Sequence, residues 1–256
     1  TGDNVKSAAD NFSHQVCQAF EKKRKKSKNL AIDKIMLDGF KSLESRDFKI
    51  ENGEKIMEHA RSIKSAEEIK AMRCSISACE TSIHVMEKET KPGMTENDSW
   101  SILHSENIKR GGEWIETRLL STGTKTNPWF QECGSRILQK NEIVAFDTDL
   151  VGCYSMCTDI SRTWWIGDQE PTKEMKQDYQ IALEHIQKNA ELVAPGVPFK
   201  DLTFKGHQLD DMYKKQQYSC RFHGVGLCDE FPLITYPEDY EAVSYTHLTL
   251  PTSNGV

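Results

Sequence analysis

From residue 69 onward, Ile69, Met72, Ile76, Cys79, Ile83 and Met86 fall three or four positions apart and mark one face of an amphipathic helix to about residue 88. Ser65-Ala66-Glu67-Glu68 signals its start, a capping box in which Ser65 and Glu68 satisfy each other's free amides. Lys91-Pro92-Gly93-Met94 stops it, and Thr95 caps a second helix carrying Trp100, Ile102, Leu103 and Ile108. The arrangement returns about 100 residues later: Thr172 starts a helix to about residue 192, Ala194-Pro195-Gly196-Val197 stops it, and Asp201 caps another through Tyr213. Two such helix, Pro-Gly, helix units point to an internal duplication.

Between the helical units the pattern changes to β-type. Residues 114–121 read as one strand, 142–149 and 154–165 as two strands joined at Val151-Gly152-Cys153, and 221–227 as a fourth. Helices and antiparallel strands in this order predict an α+β domain with helices packed on one sheet face. Residues 1–63 are polar, lysine-rich and weakly patterned, with a helical stretch near 19–28, and read as the end of a separate N-terminal unit. Residues 64–241 hold the patterned domain. Residues 242–256 change character abruptly and resemble a translated sequencing adaptor, a foreign tail.

Composition narrows the class. The 256 residues are 37% hydrophobic and 28% charged, enough for a sizeable core. A net charge of −6 argues against nucleic acid or an anionic membrane as main partner, and the basic run at residues 22–26 reads as a solvated helix face. No stretch is apolar enough to cross a membrane, and the first twenty residues are too polar for a signal peptide. The eight cysteines fit neither a disulfide scaffold nor a zinc-finger pair; they read as reduced, mostly buried thiols of a cytoplasmic protein.

The chemistry concentrates in Phe146-Asp147-Thr148-Asp149 and Thr158-Asp159-Ile160-Ser161-Arg162-Thr163. Asp147 and Asp149, two apart, face one side of their strand, the side shared with Ile143 and Ala145. Carboxylates set among apolar residues are costly unless paired or holding a metal. An exposed acidic turn is the plainer alternative. His223, in His223-Gly224-Val225-Gly226, adds one imidazole where two glycines permit close backbone approach. Oxygen donors with one imidazole suit iron, manganese, cobalt or zinc, and two ions sharing carboxylates are a recurring hydrolase and lyase device.

Two aspartates followed by a histidine in a His-Gly-hydrophobic-Gly strand resemble the pita-bread (creatinase and aminopeptidase-like) superfamily. The resemblance covers about residues 60–241. It implies a pita-bread fold with an internal pseudo-twofold repeat. Two departures separate the chain from the superfamily's peptidases. Those enzymes space their metal aspartates eleven apart, whereas residue 148, eleven before Asp159, is threonine and the aspartates stand at 147 and 149. They also carry a second histidine soon after the first, where this chain reads Leu227-Cys228-Asp229-Glu230-Phe231-Pro232.

Both departures are similar to one branch, the metal-dependent dimethylsulfoniopropionate (DMSP) lyases. The segments Gly111-Gly112-Glu113-Trp114-Ile115-Glu116-Thr117-Arg118 and Asn127-Pro128-Trp129-Phe130-Gln131-Glu132 look like it too. The resemblance implies metal ligands at Asp147, Asp149, Asp159 and His223, an iron-type dinuclear site, a catalytic carboxylate at Asp229 and an active-site tyrosine at Tyr218. It also implies a homodimer, and two glutamate ligands beyond Val256 for which Glu238 and Glu241 are poor substitutes. On that expectation this chain is an inactive fragment that would hold metal weakly. For Asp229 a strand-end carboxylate bonded to backbone, and for Tyr218 a buried structural tyrosine, stay open. A sulfonium substrate needs aromatic faces, for which Trp114, Trp129, Trp164 and Trp165 are candidates. An Xaa-Pro aminopeptidase-like hydrolase and a non-catalytic binding module remain the competing readings.

Overall fold

A computed structural model describes residues 2–23 and 26–240, so the 242–256 tail and Glu241 lie outside the described residues. The chain divides into two compact units, Thr1–Arg61 and Ser62–Val256. In the first, α1 (Val5–Lys22) precedes β1 (Asn29–Ile32), α2 (Leu37–Glu44), β2 (Lys49–Asn52) and α3 (Glu54–Ser62), which reaches the boundary. The two strands pair in parallel, and Leu43 and Phe48 are buried. The helix expected near 19–28 ends at Lys22 instead. Like charges four apart, such as Lys22 and Lys26, oppose its continuation.

The second unit opens on α4 (Ala66–Glu89) and α5 (Glu96–Lys109). Both expected caps form as full capping boxes, Ser65 with Glu68 and Thr95 with Asp98. Gly93 takes the turn between them at φ +93°, open to glycine at no steric cost. The buried face of α4 is Ser75, Ala78, Cys79, Ser82, Ile83 and Met86, so Ile76 points outward, as does Ile108 on α5. The shift has a cause: the small Ser75 lets the helix approach the turn at Gly152 and donates to the Met156 carbonyl at 2.8 Å.

Each expected strand of the acidic segment is broken in two. The chain runs β3 (Trp114–Ile115), β4 (Leu120–Thr122), β5 (Glu142–Phe146), β6 (Asp149–Val151), β7 (Cys157–Asp159) and β8 (Arg162–Ile166). These form two antiparallel sheets, β4-β5-β8 and β3-β6-β7. The long hairpin passes from one sheet to the other at Asp147-Thr148 and Ile160-Ser161. Residues 114–121 likewise split between the two sheets. On β5 it is Val144 and Phe146, not Ile143, that join the core with Leu103, Leu120 and Leu150.

The remaining elements are α6 (Lys173–Ala190), α7 (Phe199–Lys205), α8 (Asp211–Lys214), β9 (Phe222–Val225) and β10 (Asp229–Ile234). Thr172 caps α6 as expected, accepting from the Met175 amide at 3.1 Å. Asp201 caps nothing: α7 begins after Pro198, and Gly206, pressed against Arg221, separates it from α8. Phe199 and Leu202 pack with Ile234 in a second, smaller core. The eight cysteines are all free; four are buried, fewer than expected. No helix among the described residues is long and apolar enough to cross a membrane.

One buried carboxylate ties this frame to the loop beyond β4. Glu96, fully buried, accepts from the Thr122 amide and hydroxyl (3.1 and 2.9 Å), the Gly134 amide (3.0 Å) and Lys125 Nζ (2.7 Å). Removing one partner of such a group strands the others. Glu96→Ala should therefore cost about 3–5 kcal/mol, read from urea unfolding midpoints. A loss under about 1 kcal/mol would contradict this role.

Candidate functional site

The acidic residues sit where the hairpin changes sheets, because a segment leaving one ladder for another frees side chains from core packing. Asp147 follows β5, and its Oδ1 accepts from Ser161 Oγ at 2.7 Å and from the Thr148 amide at 3.0 Å. Asp149 opens β6 directly opposite Asp159 on β7, and its Oδ2 accepts from Thr117 Oγ1 at 2.9 Å.

His223 enters from β9. The pairing of β9 with β10 jumps from Gly224–Glu230 to His223–Leu233, leaving Phe231 and Pro232 as a bulge. A Cβ at Gly224 would lie 2.4 Å from the Phe231 carbonyl, so the bulge requires glycine there. A Cβ at Gly226 would collide with the Glu230 side chain, which is buried and paired with Lys64. The Gly226 carbonyl accepts from the Cys157 amide at 2.7 Å, fastening β9 to β7. His223 Nε2 thereby lies 3.1 Å from Asp159 Oδ2, and its Nδ1 lies 3.0 Å from the Gly224 carbonyl and 3.9 Å from Asp229 Oδ1.

Ligand atoms of Asp159, His223 and Asp229 all lie within 4.8 Å of one another. With Asp147, Asp149 and Tyr218 they line one cavity of about 680 Å³. All six residues singled out in the sequence thus meet in one place. Tyr218 is 44% exposed, which excludes the buried structural reading, and its ring lies 6.5 Å from that of His223. Of the four candidate tryptophans only Trp129 lines this cavity. Trp164 packs on Phe146, Trp165 donates to the Gln169 carbonyl, and Trp114 is half exposed on β3. Glu238 bonds Gln217 and is not among the lining residues. Thr117, Ser161 and Phe130 line the cavity without having been singled out; for Ser161, alternation with Asp159 is the available signal.

The electrostatics are those of crowded anions. Burial, then the charge of Asp159, pushes the Asp147 carboxyl up to about 7. The same two causes push Asp229 up to about 6. Burial would also raise Asp159, but hydrogen bonding to His223 and Asp147 outweighs it and the net shift is downward. Hydrogen bonding to Asp159 holds the His223 imidazole protonated up to about 9. Asp147, Asp229 and His223 thus retain protons they would otherwise lose, and the four carboxyl groups and one imidazole lining this cavity are a donor set suited to cations.

The profile of metallopeptidase family M24 matches residues 70–248. The chain belongs to this family. Two curated relatives are dimethylsulfoniopropionate lyases, from Roseovarius nubinhibens (51% identical over 251 residues) and Roseobacter denitrificans (50%). Each alignment takes in 96% of this chain and 56% of the relative, so the chain spans little more than half their length. Among solved M24-type structures, X-Pro aminopeptidase from Thermotoga maritima superposes with a TM-score of 0.72 at 21% identity, covering 98% of this chain and 68% of that one. Xaa-Pro dipeptidase from Bacillus anthracis gives 0.73 at 18%, covering 93% and 65%. The M24 chain therefore has the pita-bread fold of these peptidases, an α+β architecture.

Proposed function

We propose that the protein is a carbon–sulfur lyase that cleaves dimethylsulfoniopropionate to acrylate and dimethyl sulfide by metal-assisted β-elimination. The observation that carries this reading is 51% identity, along 96% of the chain, to a curated DMSP lyase. The site is in keeping with it, since Asp229 stands beside His223 where the resembling peptidases carry a second histidine.

Asp147, Asp149, Asp159 and His223 would hold a dinuclear centre, with iron the metal the resemblance implies and zinc, manganese or cobalt compatible with the same donors. When bound, the ions supply Lewis acidity toward the substrate carboxylate and the enolate-like charge developing beside it. Asp229 accepts the proton from the carbon next to that carboxylate. As the C–H bond breaks, its electron pair becomes the new C=C bond, and the C–S pair departs with neutral dimethyl sulfide. With its pKa raised to about 6, Asp229 is ionised at neutral pH yet more basic than an ordinary aspartate. Tyr218 orients the substrate against it. A homodimer and a cytoplasmic location belong to the same reading.

Proton NMR of DMSP incubated with the iron-loaded protein, expressed from its source gene, tests the reaction type. Vinyl signals of acrylate should rise in step with loss of the S-methyl singlet. Formation of 3-hydroxypropionate or of a demethylated thioether would rule out elimination as the step catalysed.

The raised pKa values also set a pH dependence. Asp147 and His223 both hold their protons more tightly than their ordinary values of 3.8 and 6.5, and so stabilise the ion-free fold at low pH. That stability is lost as pH rises through about 7 and about 9. Bound cations replace those protons, so the gain in Tm on adding Mn²⁺ should grow from pH 6 to 9. Differential scanning fluorimetry reads it; a gain constant across that range would contradict the assignment.

A further inference from the structure

Phe130 is a cavity residue whose placement the chemistry above does not use. Its backbone is left-handed at φ +69°, a conformation a bulky residue keeps only where its surroundings impose it. The surroundings are defined. Lys125, held by Glu96, donates to the Glu132 carbonyl at 2.6 Å and so closes the loop that carries Trp129 and Phe130. Phe130 stacks on Tyr218 at 5.5 Å and 22°, Trp129 lies 6.3 Å from Phe130, and Tyr218 leads on to His223. Yet Phe130 remains 52% exposed. A row of rings thus runs along the same cavity that holds the four carboxylates.

Carboxylates alone attract any cation. Aromatic faces add attraction that favours a cation clothed in methyl groups, which sheds water easily, over a hydrated metal or ammonium ion. We propose that Trp129 and Phe130, backed by Tyr218, form an onium-recognising wall that takes a dimethylsulfonium or trimethylammonium group borne on a short carboxylic acid. The choice of a short acid rests on the lyase reading; the wall itself rests on the rings and the carboxylates.

Calorimetry on the metal-loaded protein tests it with two carboxylates of equal shape, 3-(trimethylammonio)propanoate and its isostere 4,4-dimethylpentanoate, in which a neutral tert-butyl group replaces the onium. The parent should prefer the onium acid. Phe130→Leu and Trp129→Leu should each weaken onium binding by about 2- to 30-fold and leave the isostere within about twofold, while Phe130→Tyr keeps the preference. Equal losses for both ligands, no loss for either, or no preference in the parent would overturn the wall. Circular dichroism of each variant checks the fold, and Phe130→Tyr decides the matter should the leucine variants fail to fold. Dimethyl sulfide release from the same preparation separates the two ideas. Onium preference without release sinks only the lyase, and release with unchanged selectivity in the variants sinks only the wall.

Discussion

Asp229→Asn should lower DMSP cleavage by about 10²- to 10⁴-fold while the protein keeps its bound metal. Asparagine preserves the shape of Asp229 at the head of β10 and removes its ability to take a proton. The paired readout matters, because Asp229 lies within 4.8 Å of the Asp159 and His223 ligand atoms and has the chemistry of a ligand as well as of a base. Loss of metal along with activity would make Asp229 a ligand and contradict its role as base. Retained metal with retained activity would remove it from the mechanism altogether.

His223→Ala has the opposite signature. Its imidazole is the one nitrogen donor of the cluster, and Nε2 is 3.1 Å from Asp159. Truncating it should weaken metal binding by more than about 100-fold and abolish cleavage with it, since removal of even an outer-sphere partner typically costs 10- to 100-fold. Metal content by inductively coupled plasma spectrometry gives the answer. A variant that retains two ions per chain would place the ligands elsewhere.

The parts of this site that were legible in the sequence are those set by local rules. The caps at Ser65 and Thr95 depend on residues three apart: the box at Ser65 forms as the sequence predicts, and the cap at Thr95 forms as a full box with Asp98. His223-Gly224 carried its own signal, because the bulge opposite leaves no room for a Cβ at Gly224. The broken strands did not show. Alternation continues across Asp147 and Ile160 in the sequence, and only pairing with β3 on one side and β4 on the other divides the hairpin. That division is also what releases Asp147 from the core, so the side it shares with Ile143 is not a core face. Asp201 resembled a helix cap, but the Pro198 position took that place. Phe130 lay in a loop with no periodicity at all, and its importance rests on a tertiary stack with Tyr218, 88 positions along the chain (218 − 130).

The superposed structures are Xaa-Pro peptidases at about one-fifth identity, a likeness of fold alone, and the relatives at half identity are lyases. The pita-bread frame serves both, so the decision falls to the residues around the candidate metal site. Headspace gas chromatography of dimethyl sulfide, run beside hydrolysis of Xaa-Pro dipeptides on one iron-loaded preparation, decides between them. The account predicts dimethyl sulfide from DMSP and no peptide cleavage; peptide cleavage without dimethyl sulfide would contradict it.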